Sequence, residues 1–362
     1  MKIAYGYISG RKDRLKNNEY PEEMFYGYHY FLKKYGSVEI IEYEKSNLKI
    51  LGWIEKIVIK ITKLPIHFSY LTNIKNFKKI MNLDYLILTN DRLLFSLLPL
   101  LLLRRVLKGK LQLTVFAMNM FQEKDLIEIS FIKKFIMMKS YHLVNNYIFL
   151  GKGESDLAIK FFQSSKKINF IPFYVDETFW NHDEHTKREG VLFVGNDSNR
   201  EFNKVVEIAN KLPNIQFTII SKQLKRTDFS NDNVRFIRGS WGNQEISDSE
   251  LRKIYSQSKL VIIPLKESFQ PSGQSVTLQA MALKTPVLIT STKGFWDVEN
   301  FKNNKNIFFN YKNSTESWLE MIQHLYENIE LLSEVTENAY KVIHEKYSKE
   351  SFERELVKIV GL

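Results

Sequence analysis

The chain has 362 residues, 44% of them hydrophobic and 26% charged, with a formal net charge of +11 and no cysteine. That length accommodates two domains with sizeable cores, and the composition excludes a disordered chain, a disulfide framework and thiolate metal sites. The excess charge sits in one part of the sequence: residues 1–150 hold 24 Lys and Arg against 13 Asp and Glu, while the remaining 212 residues hold 28 of each. Such asymmetry directs a basic N-terminal surface at something anionic. No recognised nucleic-acid motif accompanies the charge, so the expected partner is an anionic membrane surface and not nucleic acid.

The first residues, MKIAYGYISGRKDRLK, form a short apolar run cut by glycine and followed by charges. They lack the apolar core and cleavage site of a signal peptide, and the expected location is cytoplasmic. No apolar run reaches the roughly 18 to 20 residues that span a bilayer; the nearest, at 93–103, is stopped by Arg104 and Arg105. A peripheral position on the inner face of the cell membrane is therefore expected.

Residues 2–8 and 38–43 read as strands around an apolar-aromatic helix at 22–35 that should stop at Gly36. Further strands are predicted at 84–89, 111–118, 147–150 and 169–173, with helices between them at 91–107, 121–139 and 154–162. From 174 to 190 the pattern becomes polar and aperiodic, which predicts a linker. His182 and His185 flank two acids there but stand in no metal-ligand frame, and a solvated hinge is the reading adopted.

The second half repeats the alternation. Strands are predicted at 191–194, 215–220, 233–237, 260–263 and 287–290. Phe202, Val206, Ala209 and Leu212 mark one helical stripe, and Ser247 or Asp248 caps a helix that runs to Ser258. Closing helices are expected at 315–345 and 349–360. Strands alternating with helices imply βαβ units, hence an α/β chain of two doubly wound domains facing a cleft. The predicted boundaries are 1–173, a linker over 174–190, a second domain over 191–345, and a C-terminal helix over 346–362 that can pack back on the first.

The stretch at 264–292, PLKESFQPSGQSVTLQAMALKTPVLITST, reads as a strand end, a polar loop, a helix and a strand. A helix over 272–283 would place Ser272, Ser275 and Gln279 on one face at the mouth of its N-terminus. Such an end, entered by a loop of small residues, suits a phosphate; an ordinary Ser-capped helix is the alternative.

VLFVG at 191–195, NVRFIRGSW at 233–241, SELRKIYSQSKLVIIP at 249–264 and PSGQSVTLQAMALKTPVLIT at 271–290 together resemble glycosyltransferases of the two-Rossmann-domain GT-B type, nearest to the retaining family 4 group. LQAMALKTPV stands where many members carry LEAMAxGxPV, and the residues at 171–176 resemble the interdomain junction. The resemblance covers about 147–297. It implies an N-terminal acceptor-binding domain and a C-terminal domain that binds a nucleotide-sugar donor. No cofactor and no metal are implied. Members commonly carry two acids eight positions apart around the donor loop, and here those positions are Pro271 and Gln279. Gln279 can hydrogen-bond a ribose hydroxyl without a charge.

The resemblance places Gly195, Gly239, Ser240, Trp241, Ser272, Gly273, Gln274, Ser275 and Gln279 at the donor, with Gly6 in a glycine-bearing turn after the first strand. Trp241 is either a base contact or core. Arg200 and then Lys222 are the candidates to stabilise the leaving diphosphate, with plain surface charge as the alternative for each. Asn119 stands where many members put a catalytic-site histidine; asparagine is no general base, so it would orient the sugar. The implied reaction is retaining transfer from a nucleotide sugar to a lipid-linked or polysaccharide acceptor in cell-envelope glycan synthesis, lipopolysaccharide included. A sugar-nucleotide 2-epimerase of the same fold and a silent sugar-nucleotide-binding protein are the rivals. Glu267 and Asp297 are the only acids near the donor loop that an epimerase could use.

Residues 49–64, KILGWIEKIVIKITKL, put Ile50, Leu51, Trp53, Ile54, Ile57, Val58, Ile61 and Leu64 on one helical arc beside Lys49, Lys56, Lys60 and Lys63. A helix packed on its own sheet and a helix lying in a membrane interface both have this pattern. The charge excess and the basic-apolar runs LLLLRRVLKGK and FIKKFIMMKS favour the interface.

Overall fold

The structure is a computed structural model that describes residues 1–16, 19–43, 49–121, 128–181, 187–239 and 245–362. The chain divides into two compact units, one of Met1–Asn18, Met24–Ile171 and Glu353–Leu362, the other of Glu19–Glu23 and Pro172–Phe352. Residues 174–190, read from sequence as a linker, count in the second unit. His182 and His185 lie outside the described residues.

The first unit is built on a parallel sheet of order β2-β1-β3-β4-β5-β6. Its strands are β1 Ile3–Tyr7, β2 Glu39–Glu42, β3 Tyr85–Leu88, β4 Gln112–Ala117, β5 Asn146–Phe149 and β6 Ile168–Phe170. The helices are α1 Arg11–Arg14, α2 Tyr28–Tyr35, α3 Lys49–Thr62, α4 Phe68–Leu71, α5 Ile74–Met81, α6 Asp91–Lys108, α7 Phe131–Leu143 and α8 Lys152–Phe162. Parallel strands covered on both faces read as unbroken apolar runs, and all four residues of β3, YLIL, are buried.

The helix predicted over 22–35 is in two pieces, a 3-10 turn Glu22–Phe25 and then α2. Tyr26 and Gly27 separate them at φ 53 and 82, which a right-handed helix cannot accommodate. Gly36, at φ 75, ends α2 where expected. The helix predicted over 121–139 starts only at Phe131, after Ser130 accepts a capping hydrogen bond from the Lys133 N–H. Residues 122–127 of that prediction lie outside the described residues.

The second unit carries a parallel sheet of order β12-β11-β10-β7-β8-β9. The strands are β7 Val191–Val194, β8 Phe217–Ile220, β9 Val234–Ile237, β10 Leu260–Ile263, β11 Val287–Thr290 and β12 Phe308–Asn310. Its helices are α9 Phe202–Lys211, α10 Asp248–Gln257, α11 Gln274–Ala282, α12 Thr315–Glu327, α13 Ile329–Lys346 and α14 Lys349–Val360, the last crossing into the first unit at Glu353. Counted from the β9 edge this is the doubly wound Rossmann order, which reverses direction between β7 and β10.

Phe193, Phe217, Ile262, Leu288 and Trp318 belong to the core of this sheet. Val205 and Ile208, more than Phe202 and Val206, carry the inward face of α9; the latter two pack against the core only partly buried. The long helix expected at 315–345 breaks at Asn328, whose side chain caps α13 through the Leu331 N–H.

Candidate active site

Where a doubly wound sheet reverses direction, the loops after the two flanking strands part and leave room for a ligand. Here they are the loops after β7 and β10, and they are stitched together. The Glu201 N–H donates to the Pro264 carbonyl at 3.0 Å and the Lys266 N–H to the Asn199 carbonyl at 2.8 Å. Asn199 Nδ2 donates to Gln270 Oε1 at 2.6 Å and to Ser272 Oγ at 2.8 Å.

Arg200 lies inside this junction with its side chain only 4% exposed. Its Nε is 3.0 Å from Asp197 Oδ2, an ion pair without hydrogen-bond alignment, and Nε and Nη1 are buried with no hydrogen-bond partner. Burial pulls its pKa below the ordinary arginine value, and Asp197 opposes the shift. A guanidinium keeps its proton even so. A Cβ at position 195 would come 2.6 Å from Arg200 Nε, and one at 273 would come 3.0 Å from Nη1. Gly195 and Gly273 are therefore the walls between which the guanidinium fits.

Gly273 also opens α11. It is in the left-handed region at φ 84, and no side chain caps the helix. The Ser-capped alternative is thus not what forms: Ser272 lies before the helix and its hydroxyl is taken by Asn199. The first turn of α11, where the Gln274 N–H donates to the Pro271 carbonyl at 3.4 Å, carries the positive end of the helix dipole. An uncapped helix N-terminus and an orphan guanidinium nitrogen meet at Gly273, and both call for an anion.

Gln279 is not offered to this corner as the sequence suggested. It is buried, with Nε2 donating to Glu23 Oε1 at 3.0 Å and Oε1 accepting from the Tyr255 hydroxyl at 3.5 Å. Glu23 Oε1 also accepts from Trp180 Nε1 at 2.7 Å, and Oε2 accepts from the Asp176 N–H at 3.1 Å. Burial pushes the Glu23 carboxyl up to about 7, against the two side-chain hydrogen bonds. The carboxylate that Gln279 meets is thus that of Glu23, 256 residues earlier.

Asn196 organises the far side of the loop. Its Nδ2 donates to the Gly239 carbonyl at 2.9 Å, and its Oδ1 accepts from the Lys222 N–H at 2.6 Å. Gly239 is buried, with Ile220 Cγ2 only 2.8 Å from where a Cβ would stand. The Lys222 side chain is exposed. Ser240 and Trp241 lie outside the described residues. Glu267 accepts from the Ser268 and Lys293 N–H groups, and Asp297 accepts from the Tyr347 hydroxyl and Asn300. Both acids serve to hold loops.

In the first unit Gly6 is not in a turn. It lies inside β1, where a Cβ would meet Leu88 Cδ2 at 2.6 Å, and its part is to let β1 and its neighbours pack. Asn119 follows β4 at φ 66, exposed. Two buried acids support its loop. Asp91 Oδ1 accepts from the Met118 N–H at 3.1 Å, and Glu154 Oε1 from the Met120 N–H at 2.7 Å. Sequence reasoning passed over Glu23, Asn196, Asn199, Asp91 and Glu154. Only the two asparagines left a signal, the polar run GNDSNRE straight after a strand.

Two units, each built on a six-stranded parallel sheet flanked by helices, make up the fold of the GT-B glycosyltransferases. HepE of Anabaena, solved in complex with UDP and glucose, has this fold at TM-score 0.69 and 11% identity, over 100% of this chain and 99% of that one. Sucrose-phosphate synthase of Thermosynechococcus elongatus matches at TM-score 0.68 and 12% identity, over 99% and 98%. At these identities the shared property is the fold. Residues 188–328 match the family described as glycosyl transferases group 1. An uncharacterized glycosyltransferase of Methanocaldococcus jannaschii is 27% identical over 114 residues, 32% of this chain and 28% of that protein's length.

Proposed function

We propose that the protein is a glycosyltransferase that moves a sugar from a nucleotide-sugar donor to a lipid-linked or polysaccharide acceptor in cell-envelope glycan synthesis, with retention at the anomeric carbon. The observation that carries this is the buried, unpaired Nη1 of Arg200 beside Gly273 at the uncapped start of α11. As the glycosidic bond breaks, negative charge grows on the departing diphosphate, and preorganised positive groups in a dry site stabilise it. Arg200 and the first-turn N–H groups of α11 supply that field without a metal. The bound UDP and glucose in the HepE structure favour a UDP-sugar as donor.

The reading of retention is supported by the residue at position 119. Asn119 cannot take a proton, so the leaving phosphate takes that of the acceptor hydroxyl while Asn119 orients the sugar. The work is done at a membrane surface, in peripheral contact; no helix of the described residues is long and apolar enough to cross one.

A panel of UDP- and GDP-sugars tests the reading by thermal shift and by slow hydrolysis. One nucleotide class should raise the melting midpoint and release free sugar, with EDTA making no difference. Binding with neither hydrolysis nor transfer would leave only a sugar-nucleotide-binding protein, and inversion at C2 would make it an epimerase.

A further inference from the structure

The three helices α3, α6 and α7 of the first unit expose apolar side chains that a water-facing surface does not need. Trp53 is 66% exposed, Val106 83% and Phe131 81%, with Ile61, Leu107 and Phe135 each more than half exposed. The helices are neighbours, since α7 packs against both α3 and α6. Of the apolar arc foreseen over 49–64, Trp53, Ile54, Ile57 and Ile61 are exposed, Leu51 and Val58 are half-buried and Leu64 is buried, while Glu55 and Thr62 of α3 are buried.

The charges on these helices are sorted by sign. Their only acids are Glu55 on α3 and Asp91 on α6, and α7 has none. Both acids are buried. Glu55 accepts from the Ser69 N–H and hydroxyl and lies 3.1 Å from His67 Nδ1, while Asp91 accepts from the Met118 N–H. Of the cations, Arg104 is buried on the Ile80, Leu83 and Gly109 carbonyls and Lys133 is half-buried, while Lys56, Lys60, Arg105, Lys108, Lys134 and Lys139 are exposed. Between the ends of α6 and α7 a cavity of about 170 Å³, lined by Arg105, Lys110, His142 and Lys167, extends the basic character inward.

We propose that the exposed faces of α3, α6 and α7 are the surface on which the protein docks to an anionic lipid bilayer, with Trp53, Ile57, Val106 and Phe131 entering the headgroup layer. A protein partner would need acids matched to each lysine, whereas a phospholipid surface supplies diffuse negative charge above an apolar layer. Long lysine side chains beside the apolar residues reach the phosphates while their stems lie among the acyl chains. This deepens the membrane reading above and rests on it; it does not rest on the donor chemistry.

The test is flotation of the full chain with vesicles of equal parts phosphatidylglycerol and phosphatidylcholine, against vesicles of phosphatidylcholine alone. The protein should float with the anionic vesicles at low salt and be released by high salt. Each charge near such a surface is worth about 1 kcal/mol, roughly fivefold in partitioning. The double variant K60E/K134E should therefore lose at least about tenfold. W53S/F131S should lose a comparable factor and also abolish a vesicle-induced blue shift of tryptophan emission. Circular dichroism of each variant confirms the fold, and donor binding without vesicles should equal that of the parent, which separates this proposal from the donor site. Failure to float at low salt overturns the proposal, as does flotation that both variants leave intact. So does self-association through this face, read as a dimer in gel filtration that W53S/F131S dissolves while no vesicles are bound.

Discussion

At the carboxyl ends of the first unit's strands the buried charge is acidic, with Asp91 raised to about 6 and Glu154 to about 8, both chiefly by burial. At the corresponding ends of the second unit's sheet, where its order reverses, it is the cation Arg200, short of partners and walled by two glycines. The same parallel architecture thus presents opposite electrostatics. A phosphate brought near Asp91 would meet a like charge, whereas near Arg200 it would meet a buried cation short of partners. The two corners therefore differ: one encloses the guanidinium of Arg200, and the other holds a backbone loop, with Asn119 at its tip, by carboxylate hydrogen bonds.

The largest expected effect comes from importing the acid back to its usual position in the second unit. Gln279→Glu would set a carboxylate about 3 Å from Glu23 in a buried site. The second unit should lose roughly 3 kcal/mol of stability at pH 8 and less at pH 5, where one of the pair is protonated. Tighter donor binding and unchanged stability in this variant would show that Gln279 faces the ribose and not Glu23.

The acidic corner can be broken by pH. A carboxyl whose folded pKa is raised binds its proton more readily in the folded state. Its stabilising effect is complete below the unfolded value and is lost as pH rises to the folded one. For Glu154 that window runs from 4.5 to about 8, for Glu23 from 4.5 to about 7 and for Asp91 from 3.8 to about 6. The melting midpoint should accordingly rise as pH is lowered from about 8 toward 5. Glu154→Gln keeps an acceptor for Met120 and should flatten this dependence, removing a loss on the order of 5 kcal/mol by pH 9. A pH profile identical to that of the parent would mean that Glu154 is not the buried acid described.

A smaller effect is expected of Gly273→Ala. The left-handed backbone costs about 1–2 kcal/mol with a Cβ, which would also meet Ile263 Cγ2 at 2.9 Å and Arg200 Nη1 at 3.0 Å. Donor affinity should fall more than stability, because the guanidinium is displaced. Equal donor affinity at lower stability would leave Gly273 a purely structural cap.

Much of this molecule was legible in its sequence, and the exceptions have physical causes. Buried parallel strands such as LVII at 260–263 are apolar runs that can hardly be read otherwise. The helix over 22–35 was misread because its apolar spacing continues through Tyr26 and Gly27, where the backbone does not. Arg200 was singled out because the family resemblance marks its loop, and the structure shows it buried there. What the sequence could not reveal was pairing at long range: nothing near Gln279 announces Glu23, and nothing near Asn119 announces Glu154. The exposure of α3 was also beyond it, because an apolar arc looks the same whether it faces a sheet or a bilayer.

The central claim is that the orphan guanidinium of Arg200 is the partner of the donor's diphosphate. The measurement that tests it most directly is kcat/KM for donor turnover in Arg200→Ala and Arg200→Lys, with the melting midpoint recorded for each. The account predicts a fall of about 10²–10³ for Arg200→Ala, partial recovery in Arg200→Lys, and a folded protein in both cases. A folded Arg200→Ala variant that turns over its donor as fast as the parent would contradict it.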